Sequence, residues 1–263
     1  MSTHERYSRQ VYKDIDIAFV DQITHPICQL KYDGIRCQCD VDKIGTARYF
    51  SRSGDCKKVE KISPLTPPGS YIGELMFGSE WSKEVNRSGK FFLFDHIEDN
   101  YGDHRDLPYI TRYMKLATML DNKVLPNHWF VAPNYPTSDS LTIWNLLVAQ
   151  GKFEGLVFRN ANDNWHQTLL RAKFELTEDL YITGFVEGEG RLKNSLGALK
   201  ASYSPLGLGV ELTIGGGMTD KIRREIWKDQ QNYLNKCFKC SAKKKFKSGL
   251  LRHPNFVGWH SEK

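Results

Sequence analysis

The segment Lys31-Tyr-Asp33-Gly34-Ile-Arg36 sets an amine, a carboxylate and a guanidinium close together along the chain. A lysine amine attacks only after losing its proton, and its unperturbed pKa is about 10.4. Neighbouring cations or partial burial lower that value and make the amine a usable nucleophile. The same residues would also suit an exposed hairpin lysine with a local aspartate, so the rest of the chain has to decide. Further along stand Glu74 in Tyr-Ile-Gly-Glu74-Leu-Met76, Glu154 in Glu154-Gly-Leu-Val-Phe-Arg159, and two cations in Leu170-Arg171-Ala-Lys173. Cations fixed in advance are what a reaction needs when each step moves negative charge onto phosphate oxygens.

Short apolar runs predict the strands that hold these groups. They are Ile27–Lys31, Ile35–Val41, Tyr71–Phe77, Phe91–His96, Trp129–Ala132, Gly155–Arg159 and Leu169–Phe174. Gly34 is the expected turn between the first two, and Arg171 and Lys173 alternate on the last, so both face one side. Helical spacing fits Tyr109–Leu120, Ser138–Gln150 and Asp220–Leu234, with Ser138 and Asp139 as caps of the second. Beyond residue 174 the pattern is richer in strands, with turns at Gly188–Gly190 and Gly215–Gly217. That suits a small barrel followed or interrupted by a helix. A boundary near Glu175–Glu178 divides the chain into domains 1–174 and 178–263.

Lys31-Tyr-Asp33-Gly34-Ile-Arg36 resembles motif I of the covalent nucleotidyltransferases. Gly73-Glu74-Leu75, Phe91-Phe-Leu-Phe94-Asp95, Glu154–Arg159 and Leu170–Lys173 resemble the later motifs of that superfamily, in order. Gly188–Lys193 with Leu196–Leu199, Gly215–Asp220 with Arg223 and Trp227, and Leu251–Val257 resemble the second domain and ending of small ATP-dependent DNA ligases. The resemblance spans roughly residues 25–263. It implies an α+β adenylation domain of antiparallel sheets with flanking helices, followed by a small all-β OB-fold domain.

The resemblance implies a reaction and a set of roles. Lys31 takes AMP from ATP, AMP passes to the 5′-phosphate of a nick, and the 3′-hydroxyl then displaces it. Arg171 and Lys173 contact the α-phosphate, Glu74 holds the ribose hydroxyls, and Glu154, with Glu74, binds Mg2+ or Mn2+. Magnesium favours oxygen ligands and keeps waters, so one or two carboxylates suffice. Phe94 stacks on adenine and Gln29 reads its edge. Arg36 and Arg52 touch the ribose and the nick phosphate, and Asp33 serves the sealing steps. Each has a plainer alternative: Phe94 as core, Arg52 as a turn residue, Gln29 and the two glutamates as structural or surface groups. Two positions depart from the pattern. Arg171 replaces the usual first lysine, keeping charge but changing geometry. His260 stands where an arginine that orients pyrophosphate is usual, with Lys263 or Arg252 as candidate substitutes.

Composition sets the bounds. The chain has 263 residues, 40% hydrophobic and 26% charged, as in ordinary globular proteins. No apolar run reaches about 18 residues and no secretory signal is present, so a soluble, cytoplasmic enzyme without membrane contact is expected, working as a monomer. The net charge is +6; residues 174–263 hold 15 Lys and Arg against 10 Asp and Glu, and residues 1–173 hold 22 against 21. A basic second half fits a polyanionic partner, here nicked double-stranded DNA gripped through its phosphates. Lys243–Lys247 is either a solvated run or part of that grip. Six cysteines are expected as free thiols, and Cys237 and Cys240 lack the second pair that a zinc site of that spacing needs. No histidine is assigned to metal. No GxxxxGK[ST] sequence occurs, which excludes a P-loop NTPase. With only 30 residues ahead of Lys31, neither an NAD-specific module nor a separate DNA-binding domain is expected there. The rival readings are an RNA ligase or capping-type nucleotidyltransferase and a non-catalytic nick-binding protein.

Overall fold

The computed structural model describes residues 10–54, 56–76 and 89–260. The chain forms two compact units, Met1–Lys173 and Phe174–Lys263. In chain order the first contains β1 (Tyr12–Ile15), β2 (Ile27–Lys31), β3 (Ile35–Val41), β4 (Thr46–Ser51), β5 (Cys56–Lys61), β6 (Gly69–Met76), β7 (Lys90–Asp99), β8 (Gly102–Asp103), α1 (Tyr109–Asp121), β9 (Trp129–Val131), β10 (Tyr135–Pro136), α2 (Ser140–Ile143), β11 (Gly155–Arg159) and β12 (Leu169–Lys173).

These strands make two sheets. One runs β1-β12-β11-β2-β10; the other runs β5-β4-β3-β6-β7-β8, with β9 paired to β7. Both are mostly antiparallel, but β1·β12 and β7·β9 are parallel, so the sheets are mixed rather than purely antiparallel. The larger sheet buries alternate residues on one side: Cys37, Cys39 and Val41, Tyr49, Tyr71 and Leu75, and Phe91 and Leu93 pack with Leu116 of α1 and with Trp129. That period of two is what a half-buried strand imposes.

A buried charge cluster ties the elements together. Arg112 of α1 donates to both oxygens of Asp95 in β7, at 2.7 and 2.9 Å. Arg159 of β11 approaches the same carboxylate at 3.7 Å and lies 4.3 Å over the Tyr109 ring. One carboxylate thus joins a strand of each sheet and the helix.

The predicted helix at 138–150 is irregular. A 3-10 turn (Thr137–Asp139) leads into α2, and a π-turn follows (Trp144–Val148), closed by Ala149 N–H to the Trp144 carbonyl at 2.8 Å. Neither Ser138 nor Asp139 caps it: the Ser138 hydroxyl is hydrogen-bonded to the Asp139 carboxylate at 3.3 Å instead.

The second unit contains β13 (Leu176–Glu187), β14 (Leu196–Ser202), β15 (Leu212–Ile214), α3 (Asp220–Lys228), α4 (Gln230–Tyr233), β16 (Cys237–Ala242), β17 (Lys244–Lys245), β18 (Leu251–Arg252) and β19 (Asn255–Trp259). Its main sheet runs β15-β14-β13-β16-β19, with α3 and α4 between β15 and β16 in sequence. The helix expected over 220–234 is therefore broken, at Asp229, whose backbone leaves the helical region. Thr219 caps α3 by accepting from the Ile222 N–H at 3.3 Å. Arg223 is buried and donates to the carbonyls of Leu196 (2.9 Å), Gly197 (2.7 Å) and Gly215, clamping helix to sheet. Gly217 has φ +84°, and a Cβ there would lie 2.1 Å from the Phe256 carbonyl oxygen, so this turn requires glycine. None of the described helices is long and apolar enough to cross a membrane.

Candidate functional site

The register of the first sheet assembles the cations. Lys31 of β2 lies opposite Gly155 of β11, which lies opposite Lys173 of β12. One step along, Gln29, Val157 and Arg171 form the next such row on the same face. Gly155 leaves no side chain between Lys31 and Lys173, and only glycine fits there: an added Cβ would lie 2.0 Å from the Ala172 carbonyl oxygen.

Edge strand β1 then adds Asp14 opposite Arg171. Asp14 accepts from Arg171 through both oxygens (2.6 and 3.1 Å) and from Lys173 at 3.3 Å. The Arg171 hydrogen bond holds the Asp14 carboxyl below its ordinary range; burial opposes it, and Lys173 adds to the lowering.

The carboxylates arrive from both sheets. The Lys31 ammonium pairs directly with Glu154, whose own N–H donates to the Lys31 carbonyl at 2.9 Å. The bend Asp33-Gly34 carries the chain from β2 of one sheet to β3 of the other. There the Gly34 N–H donates to Glu74 at 3.0 Å, and a Cβ would sit 2.6 Å from the Leu75 carbonyl oxygen. Gly34 is thus required by close approach. Burial pushes the Glu74 carboxyl up to about 7, although Lys31, the Gly34 N–H and Arg36 pull the other way. Tyr32 stacks on Phe92 at 4.4 Å and meets Phe153 edge-on at 5.4 Å, anchoring the residue after Lys31.

Arg36 lies opposite Glu74 in the β3·β6 register. Its guanidinium sits 5.2 Å over the Phe94 ring and donates to the Tyr12 hydroxyl (2.7 Å) and Gln10 (3.1 Å). Gln29 is buried and donates to the Ala132 carbonyl at 3.4 Å, which Tyr113 also reaches at 3.1 Å. Arg52 stands apart, exposed on the turn after β4; the Cys37–Ser51 pairing sets that turn at the same sheet end as Arg36.

Comparison with known proteins finds a family match over part of the second unit and likenesses of fold over nearly the whole chain. Residues 187–259 match the DNA ligase OB-like domain family. The solved structure described as "Pmar-Lig_PreS3" is 18% identical, with a TM-score of 0.70 over 95% of this chain and 67% of its own. A Lig E DNA ligase, studied for "DNA binding with a minimal scaffold", is 16% identical, with a TM-score of 0.69 over 97% of this chain and 100% of its own. The ligase domain of M. tuberculosis LigD is 14% identical, with a TM-score of 0.51 over 96% and 94%. No curated protein matches the chain by sequence.

The chain has the fold of a minimal two-domain DNA ligase. Within this ligase fold, sequence reasoning missed Tyr12, Asp14 and Gln10, which lie on or before a short polar edge strand with no apolar alternation to reveal it. His260, at the position of the unusual substitution, lies just past β19 with Nδ1 3.3 Å from Asp179. Arg252 lies on β18, paired with Lys244. Lys263 lies outside the described residues. In the lysine run, Lys245 pairs with Glu178 at 3.0 Å and covers the Tyr203 ring at 4.0 Å.

Proposed function

We propose that this chain is an ATP-dependent DNA ligase that seals 5′-phosphate/3′-hydroxyl nicks in duplex DNA through AMP bonded to Lys31. The observation that carries the reading is the cation row. Lys31 and Lys173 face one side of a sheet with only a glycine between them, and Arg171 lies in the adjacent row. A phosphate lying over Gly155 would meet the nucleophile on one side and charge-stabilising groups on the other. The match of the second domain to a DNA ligase OB-like domain supports DNA as the partner.

In this reading Lys31 attacks the α-phosphorus of ATP and pyrophosphate leaves. The 5′-phosphate of the nick then takes the AMP, with the lysine nitrogen as leaving group. The 3′-hydroxyl next attacks the activated phosphate, forming the phosphodiester and releasing AMP. Arg171 and Lys173 bind the charge that develops on the phosphate oxygens. Phe94 offers a face to adenine once Arg36 moves toward ribose or phosphate. Gln29 reads the adenine edge, Glu74 holds the ribose hydroxyls, and Arg52 and Asp33 act at the nick. Glu154 and Glu74 supply the hard oxygen donors that suit Mg2+ or Mn2+, and both stand close to Lys31. Bound there, the ion would neutralise phosphate charge. With that ion present Glu154 would release the Lys31 ammonium it now holds.

The test is a nick-sealing assay on a duplex carrying a labelled 5′-phosphate. Sealing of DNA strands with ATP is expected, weakening steeply as salt rises. Activity confined to RNA strands would favour an RNA ligase. Labelling by GTP and not ATP would favour a capping-type enzyme. Nick binding without sealing or labelling would favour the non-catalytic reading.

A further inference from the structure

Cys237 and Cys240 share a CxxC spacing, yet the fold sends them to opposite sides of β16. Cys240 is buried in the core of the second unit, beside Phe238 and Phe256. Cys237 points to the other face, and there it meets different company. Asp179, Cys237 and His260 bring their donor atoms within 4.8 Å of one another.

The three come from adjacent strands of one sheet. Asp179 lies in β13, Cys237 opens β16, and His260 follows β19. Tyr181 pairs with Cys237 and Asp179 with Lys239, so alternation puts Asp179 and Cys237 on the same face. The His260 N–H donates to the Cys237 carbonyl at 3.3 Å, fixing the backbone that presents the imidazole. His260 Nδ1 and Asp179 Oδ1 are 3.3 Å apart.

We propose that Asp179, Cys237 and His260 form a transition-metal site of the Zn2+ type within the second unit. A thiolate, an imidazole and a carboxylate are the donor set of zinc. Magnesium, by contrast, prefers oxygen ligands alone. Zinc bonds of about 2.0–2.3 Å in tetrahedral array place donors roughly 3.2–3.6 Å apart. The aspartate–histidine separation of 3.3 Å already meets that, and the cysteine sulfur lies within 4.8 Å of both donors. Three protein donors leave a fourth position for water or another ligand. Asp179 and His260 are exposed and Cys237 is half-buried, so an ion can reach the site from solvent. Bound metal would cross-link the strand that ends the described chain to β13 and β16, stabilising the second unit by linkage.

The experiment uses the full chain, free of affinity tag and stripped with chelator, titrated with Co2+ and then Zn2+. One equivalent of Co2+ is expected to give the near-ultraviolet thiolate-to-cobalt absorption of a tetrahedral site, erased by Zn2+. Cys237→Ser should lose that band. His260→Ala and Asp179→Asn should weaken Zn2+ uptake by at least about tenfold. Cys240→Ala should leave both unchanged, and circular dichroism checks that each variant is folded. Zn2+ should raise the Tm of wild type and not of Cys237→Ser. Absence of the thiolate–cobalt band in wild type would overturn the proposal. So would a band that survives Cys237→Ser, or uptake unaffected by His260→Ala. None of these readouts depends on ligase activity.

Discussion

Replacing Asp95 with asparagine removes one charge from the place where both sheets of the first unit and α1 meet. Asp95 and Arg112 are sealed from solvent, 0% and 1% exposed, and Arg159 is 2% exposed. Asparagine keeps the shape and one acceptor oxygen but leaves two buried guanidinium groups without their carboxylate. Breaking a buried ion pair from one side costs about 3–5 kcal/mol, because the remaining charge stays desolvated. Arg112 keeps the Leu107 carbonyl and Arg159 keeps its stack on Tyr109, which argues for the lower end, about 3 kcal/mol. For a unit of this size each kcal/mol lowers Tm by about 2–4 °C, so the first-unit transition should fall by about 6–12 °C. Thermal unfolding followed by near-ultraviolet circular dichroism reads this directly. The double variant Asp95→Asn, Arg112→Met should recover part of the loss, since it removes one stranded charge. A Tm shift under about 2 °C for Asp95→Asn would refute the reasoning, and so would a double variant worse than the sum of the singles.

His96 gives a pH prediction. It is buried against Tyr71, its ring nitrogens have no hydrogen-bond partner among the described residues, and burial lowers its pKa to about 4. The unfolded chain takes up this proton near 6.5 and the folded chain does not until about 4. Stability from this group is therefore complete above pH 6.5 and is lost as pH falls toward 4, by about 3 kcal/mol in all. His96→Phe should flatten that limb of a denaturant-midpoint profile; an unchanged limb would contradict the assignment. Asp14→Asn frees Arg171 and Lys173 from a carboxylate that is 58% exposed. An ion pair so exposed is worth about 0.5–1 kcal/mol, so KM for ATP in lysine adenylylation should fall roughly two- to fivefold. An unchanged KM would mean that the carboxylate does not compete with phosphate for these cations.

Much of both sheets of the first unit was legible because their strands carry continuous or alternating apolar runs. Ile27–Lys31, Ile35–Val41 and Gly155–Arg159 begin and end where those runs do. Strands β1 and β5 were not legible: Tyr-Lys-Asp-Ile and Cys-Lys-Lys-Val-Glu-Lys are edge strands with mostly solvated side chains, so burial wrote no pattern into them. The order of the motif residues was readable, but their convergence depends on register. That Lys31, Gly155 and Lys173 share one row follows from strand pairing, which no local spacing reports. The same limit hid Asp14, and it hid the meeting of Cys237 with His260 and Asp179, whose partners lie far apart in sequence.

The most direct measurement is mass spectrometry of the Lys31 peptide after incubation with ATP and Mg2+. The protein is first cleared of prebound nucleotide with pyrophosphate. An AMP adduct on the Lys31 amine is expected in wild type, lost on adding nicked DNA and absent in Lys31→Ala. An adduct on another residue, or none at all in cleared wild-type protein, would contradict the central claim.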